Sequence, residues 1–368
     1  MAGLVLVLGA GATKSCNGPL TNEILPGMLQ KKGVDPQQKL DELAKFLDDV
    51  FHVNSTSKPE DYPGLPLMMS LLDLALDRKQ PFHANWSTDQ LAKVRQAMEL
   101  GIFDLLERQL NTAPTTNHYS MIHQLYPQPT EPCVLSLNYD LIIDTAMMFV
   151  SEGRGDMQGR FPDYGCDIQN DFYKEDPKRF GKLLKLHGSL NWLYCKACHR
   201  LEIGASEARK YLKILQKIVS LDLENSYTMQ GQACQNCKGE MRPLLVAPTH
   251  LKDYRNPHLT QIWYRAEQVL RKADRVVFIG YSLPDDDLEV VYLLKRSLGH
   301  LTPQQITVVE YAPPTPATAT TPAIPSPKLN EHAVGRRYRA LFGDVDWHPE
   351  GLDSWLNAQQ QSVAASAS

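Results

Sequence analysis

The stretch LVLVLGAGAT, Leu4 to Thr13, decides how this chain is read. Five consecutive apolar residues, Leu4 to Leu8, form a strand with no face suited to water, as expected at the centre of a parallel sheet. The run stops at Gly9-Ala10-Gly11. Glycine at such a strand end lets the backbone approach a diphosphate, and the start of a following helix favours the anion. Gly9, Ala10, Gly11, Ala12 and Thr13 are therefore candidate contacts for a dinucleotide. Two features depart from the dehydrogenase fingerprint: Lys14 replaces the third glycine, and no ribose-binding acid follows at the end of a second strand. The competing reading is a tight strand–helix turn without a ligand.

Beyond this loop, Leu40, Leu43, Ala44 and Leu47 recur at helical spacing, as do Leu91, Val94, Ala97, Met98 and Ile102. They predict a helical insertion over about 37–128, longer than a simple crossover between parallel strands requires. Strand–helix alternation then resumes. Strands are expected at Cys133–Leu137, Leu183–Leu186, Leu244–Ala247, Arg275–Ile279, Gln305–Val309 and Val345–His348. Helices are expected at Leu141–Val150, His258–Lys272 and Leu288–Leu298. This order predicts an α/β fold with a Rossmann-like, mainly parallel sheet and a smaller domain made of the helical insertion and a cysteine module. The core segments would be about 1–36, 130–190, 242–311 and 328–358, with the module over 190–241. Residues 312–327, almost entirely Pro, Ala and Thr, read as an extended flexible loop, and 359–368 as a disordered tail.

Composition bounds the partners. The 368 residues carry a formal charge of -4, with 43% hydrophobic and 22% charged residues. No basic footprint points to nucleic acid, and no apolar run approaches a membrane span. The amino-terminal segment lacks the basic start and long apolar core of a signal peptide, so a cytoplasmic location is expected. Four of the seven cysteines form two C-x-x-C pairs, Cys195/Cys198 and Cys234/Cys237. Four thiolates suit tetrahedral Zn2+ and leave no open position for water, so a structural zinc module is expected, with a helix near Glu207–Leu221 between its two halves. A redox dithiol is the competing reading, and His199 is a possible substitute ligand. Cys16, Cys133 and Cys166 read as ordinary thiols.

Three further strand ends carry polar residues: Ser136-Leu137-Asn138-Tyr139-Asp140, Leu186-His187-Gly188-Ser189 and Ile279-Gly280-Tyr281-Ser282-Leu283-Pro284. His187 can act as a base near neutral pH, Asn138 can orient a ribose or a water, and Asp140 can fix a ribose hydroxyl or its own loop. Against these stand a packed histidine and an Asn-Tyr-Asp turn. Gly280, Tyr281 and Ser282 are candidate phosphate or ribose contacts. Glu310 can hold a ribose or be a solvated strand end, and Thr21 and Asn22 can reach a ligand bound at these strand ends. Asp285, Asp286 and Asp287 are candidate caps for the helix at Leu288, a reading that suits Asp285 and Asp286 best.

The four strand-end motifs, in this order, resemble the sirtuin-like family of NAD-consuming enzymes over roughly Leu4 to Leu356. The resemblance implies NAD as substrate, His187 as the base and Asn138 as the residue that positions water or ribose. Deacylase sirtuins carry Thr-Gln-Asn-Ile-Asp, whereas here Leu137 and Tyr139 take the Gln and Ile places. Their Phe-Gly-Glu stretch is replaced by Leu245-Val246-Ala247-Pro248-Thr249, and their Gly-Thr-Ser by Gly280-Tyr281-Ser282. These variants resemble the bacterial sirtuin-like branch, often NAD hydrolases of antiphage defence that work as homo-oligomers or with a sensor chain. The expected activity is cleavage of NAD to nicotinamide and ADP-ribose. The alternatives are a protein lysine deacylase and a non-catalytic NAD- or ADP-ribose-binding module.

Overall fold

The computed structural model describes residues 3–29, 37–54, 56–110, 116–155, 160–169, 173, 178–203, 233–250, 252, 254–312, 314 and 325–367. Its strands are β1 (Leu4–Leu8), β2 (Cys133–Ser136), β3 (Lys182–Lys185), β4 (Gly188–Cys195), β5 (Leu201–Ile203), β6 (Met241–Leu245), β7 (Arg275–Ile279), β8 (Ile306–Val309) and β9 (Asp346–His348). Six of them form one sheet in the order β3-β2-β1-β7-β8-β9, with every pair parallel. The apolar run that opens the chain lies at the centre of this sheet, with Leu6, Val7 and Leu8 almost wholly buried.

The chain builds outward from β1 through β2 to β3 and later resumes on the other flank of β1 with β7. The strand order therefore reverses between β1 and β7, where open α/β sheets bind ligands beyond their carboxyl ends. The register aligns those ends. Leu8 pairs with Ser136 and Ile279, Ser136 with Lys185, and Ile279 with Val309. Asn138, His187, Gly280 and Glu310 each follow one of these strands by one or two residues, so the register gathers them along one edge.

Helices α1 (Thr21–Leu29), α2 (Gln37–Phe51), α3 (Leu65–Arg78) and α4 (Thr88–Leu110) share a second core around Phe46, Met68, Met69, Leu91 and Met98. The expected insertion began at 37, but α1 packs with it through Ile24, Leu25 and Met28. At its other end, α5 (Thr116–Leu125) sides with the sheet. Met121, Ile122 and Tyr126 join the sheet core, and the Tyr126 hydroxyl donates to the carbonyls of Leu4 and Cys133 (3.1 and 2.9 Å). Apolar period alone assigns a helix no partner, so these boundaries were not legible in advance. Helices α6 (Ile142–Gly153), α7 (Pro257–Leu270), α8 (Leu288–Ser297) and α9 (Ala333–Phe342) also cover the sheet.

Three expectations require correction. The strand expected at Leu244–Ala247 is β6, and it lies in a separate three-stranded antiparallel sheet, β5-β4-β6. Its neighbour β4 was not expected as a strand. Gly188–Cys195 is buried on both faces and so lacks the in–out alternation of a half-exposed strand. The tail expected to be disordered over 359–368 instead continues α10 (Leu352–Ala367), in keeping with its Ala- and Gln-rich composition. Most of 312–327 and the helix expected at Glu207–Leu221 lie outside the described residues.

The two central loops interlock. Gly9 N donates to the Ile279 carbonyl (3.0 Å) and Gly11 N to the Gly280 carbonyl (2.9 Å). Gly280 has φ +59°, and a Cβ there would lie 2.2 Å from Ala12 N and 2.3 Å from the Gly11 carbonyl carbon. Gly280→Ala adds left-handed strain to a backbone clash. It is expected to cost about 2–4 kcal/mol in denaturant unfolding. Gly299→Ala, whose Cβ would meet nothing within 4 Å, should change stability little.

Candidate active site

A cleft of about 600 Å3 opens above the β1/β7 switch point, within the range of small-molecule sites. Gly9, Ala10, Gly11 and Thr13 line it from the first loop, Asn138, Tyr139 and Asp140 from the second, and His187 from the third. Gly280, Tyr281, Ser282 and Glu310 line the opposite flank, and Thr21 and Asn22 reach it from the start of α1. Of the residues picked from sequence as catalytic or ligand-binding, only Ala12 stays out of the lining. It is buried, and its amide donates to the Gly9 carbonyl (2.9 Å). The helix expected directly after the loop is a 3-10 turn, Ala10–Cys16, ended by left-handed Asn17 (φ 63°), and α1 starts only at Thr21. No third glycine is needed, because no helix packs against β1 at Lys14. That side chain reaches out to the Glu23 carboxylate (2.5 Å).

His187 is buried, and its ring is fixed from behind. Nδ1 donates to the Leu137 carbonyl (3.2 Å), which selects the tautomer with a lone pair on Nε2. Nε2 has no hydrogen-bond partner and lies 3.7 Å from Asp287 Oδ1. Burial pulls the imidazole below its ordinary pKa. Asp287 works against that shift and Lys252 with it, so the ring is neutral at neutral pH. Asn138 spans the switch point, its Nδ2 donating to the Gly9 carbonyl (2.9 Å). Asp140 Oδ1 accepts from the amide of Ile142 (3.0 Å), which gives this carboxylate the turn-fixing geometry weighed from the sequence. Burial raises its pKa.

The loop holding Asn138 and Asp140 rests on a buried cation. Lys185 Nζ donates to the Asp140 carbonyl (2.5 Å) and pairs with Asp144 (3.0 Å), which also accepts from the Tyr164 hydroxyl (2.6 Å). The Tyr139 hydroxyl donates to the Val246 carbonyl (2.6 Å), and Val246 N donates to the His187 carbonyl (2.9 Å). The second and third loops are therefore tied to each other and to β6.

Sequence reading missed several lining residues: Lys252, Asp286, Asp287, His332 and Arg337. A cap for α8 was expected chiefly of Asp285 and Asp286, with Asp287 as a further candidate. Asp287 stands at the N-cap position without a side-chain capping bond, and its carboxylate takes Lys252 Nζ and the Tyr281 hydroxyl instead (3.0 Å for the latter). Lys252 also pairs with Asp286 (3.0 Å). The run of three acids before a helix was the available signal, and it fits a cap as readily as a site. Arg337 Nη1 donates to the Ser282 carbonyl (2.6 Å), which places a cation on this flank of the cleft. Nothing local in the sequence marked Lys252 or Arg337.

The sulfurs of Cys195, Cys198, Cys234 and Cys237 lie within 4.8 Å of one another. Cys195 and Cys237 are 3.4 Å apart, and Cys198 and Cys234 3.6 Å. A Zn2+ with four Zn–S bonds of about 2.3 Å requires sulfurs roughly 3.8 Å apart, so the cluster fits a tetrahedral ion. Two similar turns build it. His199 N donates to the Cys195 carbonyl (2.8 Å) and Lys238 N to the Cys234 carbonyl (2.9 Å), and both donors are left-handed (φ 60° and 61°). The His199 ring turns away to the Tyr194 hydroxyl, so it is not a fifth candidate ligand. Burial pushes the Cys133 thiol up to about 11 and Cys166 higher still, consistent with unreactive thiols.

No protein-family model matches the chain, and no curated protein matches it in sequence. In structure it is similar to a mutant Sir2 homologue in complex with ADP ribose, at 12% identity over 98% of this chain and 93% of that chain, TM-score 0.45. It is also similar to a Sir2 homologue–NAD complex, at 13% identity over 98% of this chain and 90% of that chain, TM-score 0.42. A third similar structure is Sir2 bound to acetylated peptide, at 12% identity over 98% and 93%, TM-score 0.42. Among the described residues, no helix is long and apolar enough to cross a membrane.

Replacing Cys195 and Cys198 together with serine should abolish zinc binding and lower the melting temperature by more than about 5 °C. Zinc content and thermal unfolding should be recorded on the same samples. A zinc-free variant that melts with the wild type would remove the structural role.

Proposed function

We propose that the chain is an NAD glycohydrolase that cleaves the nicotinamide–ribose bond with water. The observation that carries this reading is the buried, tautomer-fixed His187, whose unpaired Nε2 lies in a cleft shared with the glycine loop and Asn138. The diphosphate would lie along Gly9, Gly11 and Ser282 with Arg337 as its counter-charge, and the adenosine ribose at Glu310. The nicotinamide end would face Thr21, Asn22 and the apolar wall of Ile24 and Leu106.

The C1′–N bond breaks with its electron pair going to the pyridinium nitrogen, so nicotinamide leaves neutral and needs no acid. Water forms the new bond to C1′, and its proton passes to His187 Nε2. Asn138 orients the water or ribose, and its tie to Gly9 sets that orientation relative to the diphosphate. Asp140 acts by holding the loop that carries Asn138. This assignment agrees with the sequence motifs. The replaced peptide-binding loops favour water over an acyl-lysine as acceptor. The bacterial branch these motifs resemble makes NAD depletion in the cytoplasm during antiphage defence the corresponding biological role, carried out as an assembly or with a sensor chain.

Purified protein incubated with NAD should release nicotinamide and ADP-ribose without any peptide, and His187→Ala should lower turnover by at least about 100-fold. Turnover that requires an acetyl-lysine peptide and yields O-acetyl-ADP-ribose would establish a deacylase instead. NAD binding without turnover under either condition would favour the binding module. Because burial lowers the pKa of His187, the base form persists through neutral pH. Activity is expected to fall only on acidification below histidine's ordinary value of 6.5, and a pH–rate profile checks this.

A further inference from the structure

Lys252 and Asp287 form an ion pair whose side chains are only 3% and 7% exposed, and they face the candidate base. The pair belongs to neither core. A buried ion pair seldom adds net stability, because the desolvation of two charges offsets their attraction. Its placement therefore asks for another reason. Each oxygen of Asp287 is engaged. Oδ1 faces Lys252 Nζ and lies 3.7 Å from His187 Nε2, while Oδ2 accepts from the Tyr281 hydroxyl. Lys252 is held in turn by the carbonyl and carboxylate of Asp286 (2.6 and 3.0 Å).

Resting on the reading of His187 as a base, we infer that Lys252 and Asp287 are positioning residues that balance the charge on His187 before and after it takes a proton. In the resting site, Lys252 pairs with Asp287 and offsets part of its pull on a proton, so the buried imidazole stays unprotonated with its lone pair available. When Nε2 accepts a proton, the imidazolium faces Asp287 Oδ1 across 3.7 Å in a poorly solvated setting, where attraction is little screened. The carboxylate cannot swing away, because Tyr281 holds its other oxygen. Among the described residues, the other groups facing His187 are Asp286 beside Lys252 and the rings of Tyr139 and Tyr254, whose centroids lie 6.3 and 6.2 Å from the imidazole. Neither tyrosine ionises near neutral pH, since burial raises both. The balance is thus set by two carboxylates against one ammonium.

The test is an NMR titration of histidine-labelled full-length protein, with the His187 signal assigned from its absence in His187→Ala. Lys252→Met leaves Asp287 unopposed and should raise the His187 pKa by about one unit or more, and Asp287→Asn should lower it by a similar amount. The acid limb of NAD cleavage should move in the same two directions. An unshifted His187 in both variants overturns the inference. Should Lys252→Met fail to fold, the near-isosteric Asp287→Asn decides alone, since its shift must be downward. The titration needs no turnover. Absent NAD cleavage with shifted pKa values would therefore sink the proposed function alone, and cleavage with unshifted values would sink only this inference.

Discussion

Everything in the cleft depends on how closely two backbone loops approach across the β1/β7 switch point. Gly9 and Gly11 from one loop and Gly280 from the other meet at distances that leave no room for a side chain. The glycines are therefore committed to each other as much as to any ligand. Their interlock fixes the floor from which Asn138, His187 and Ser282 are measured. It also explains a glycine loop without a third glycine, because the tight contact is made loop against loop and not helix against strand.

Above that floor, the site is organised by buried charge. Lys185 holds the Asn138–Asp140 loop by its carbonyls and by Asp144, and Lys252 sits between Asp286 and Asp287 beside His187. Both ammonium groups are almost completely buried. In so dry a setting an uncompensated charge would be costly, so each lysine fixes the geometry of the oxygens around it. Loops that would otherwise fray at strand ends are held by ionic contacts that water reaches poorly.

The sheet was legible because parallel strands buried on both faces announce themselves as apolar runs, as Leu4–Leu8, Cys133–Ser136 and Arg275–Ile279 do. The residues at their carboxyl ends could be picked for the same reason, since a strand end in an α/β sheet is a position with functional meaning. What could not be read were partners distant in sequence. Lys252 meets Asp287 across 35 residues and Arg337 meets Ser282 across 55, and no local pattern records either. The same blindness misassigned β6, whose apolar run gave its conformation but not the sheet it would join. It also left Asp287 undecided between cap and site, because an acid before a helix satisfies the capping pattern whatever its side chain does.

The metal centre has a consequence for how this chain tolerates change. Cys195 closes β4, the strand that begins directly after His187, and Cys234 and Cys237 precede β6, which runs back to the Val246 tie at His187. Four sulfurs pinning the far end of this hairpin make its closure independent of the 35 residues that separate the two C-x-x-C pairs. The entropy of closing a loop grows only with the logarithm of its length. Residues can thus be gained or lost between β5 and Cys234 over generations while the strand that follows His187 keeps its register, so the module tolerates changes of length at little expense to the cleft.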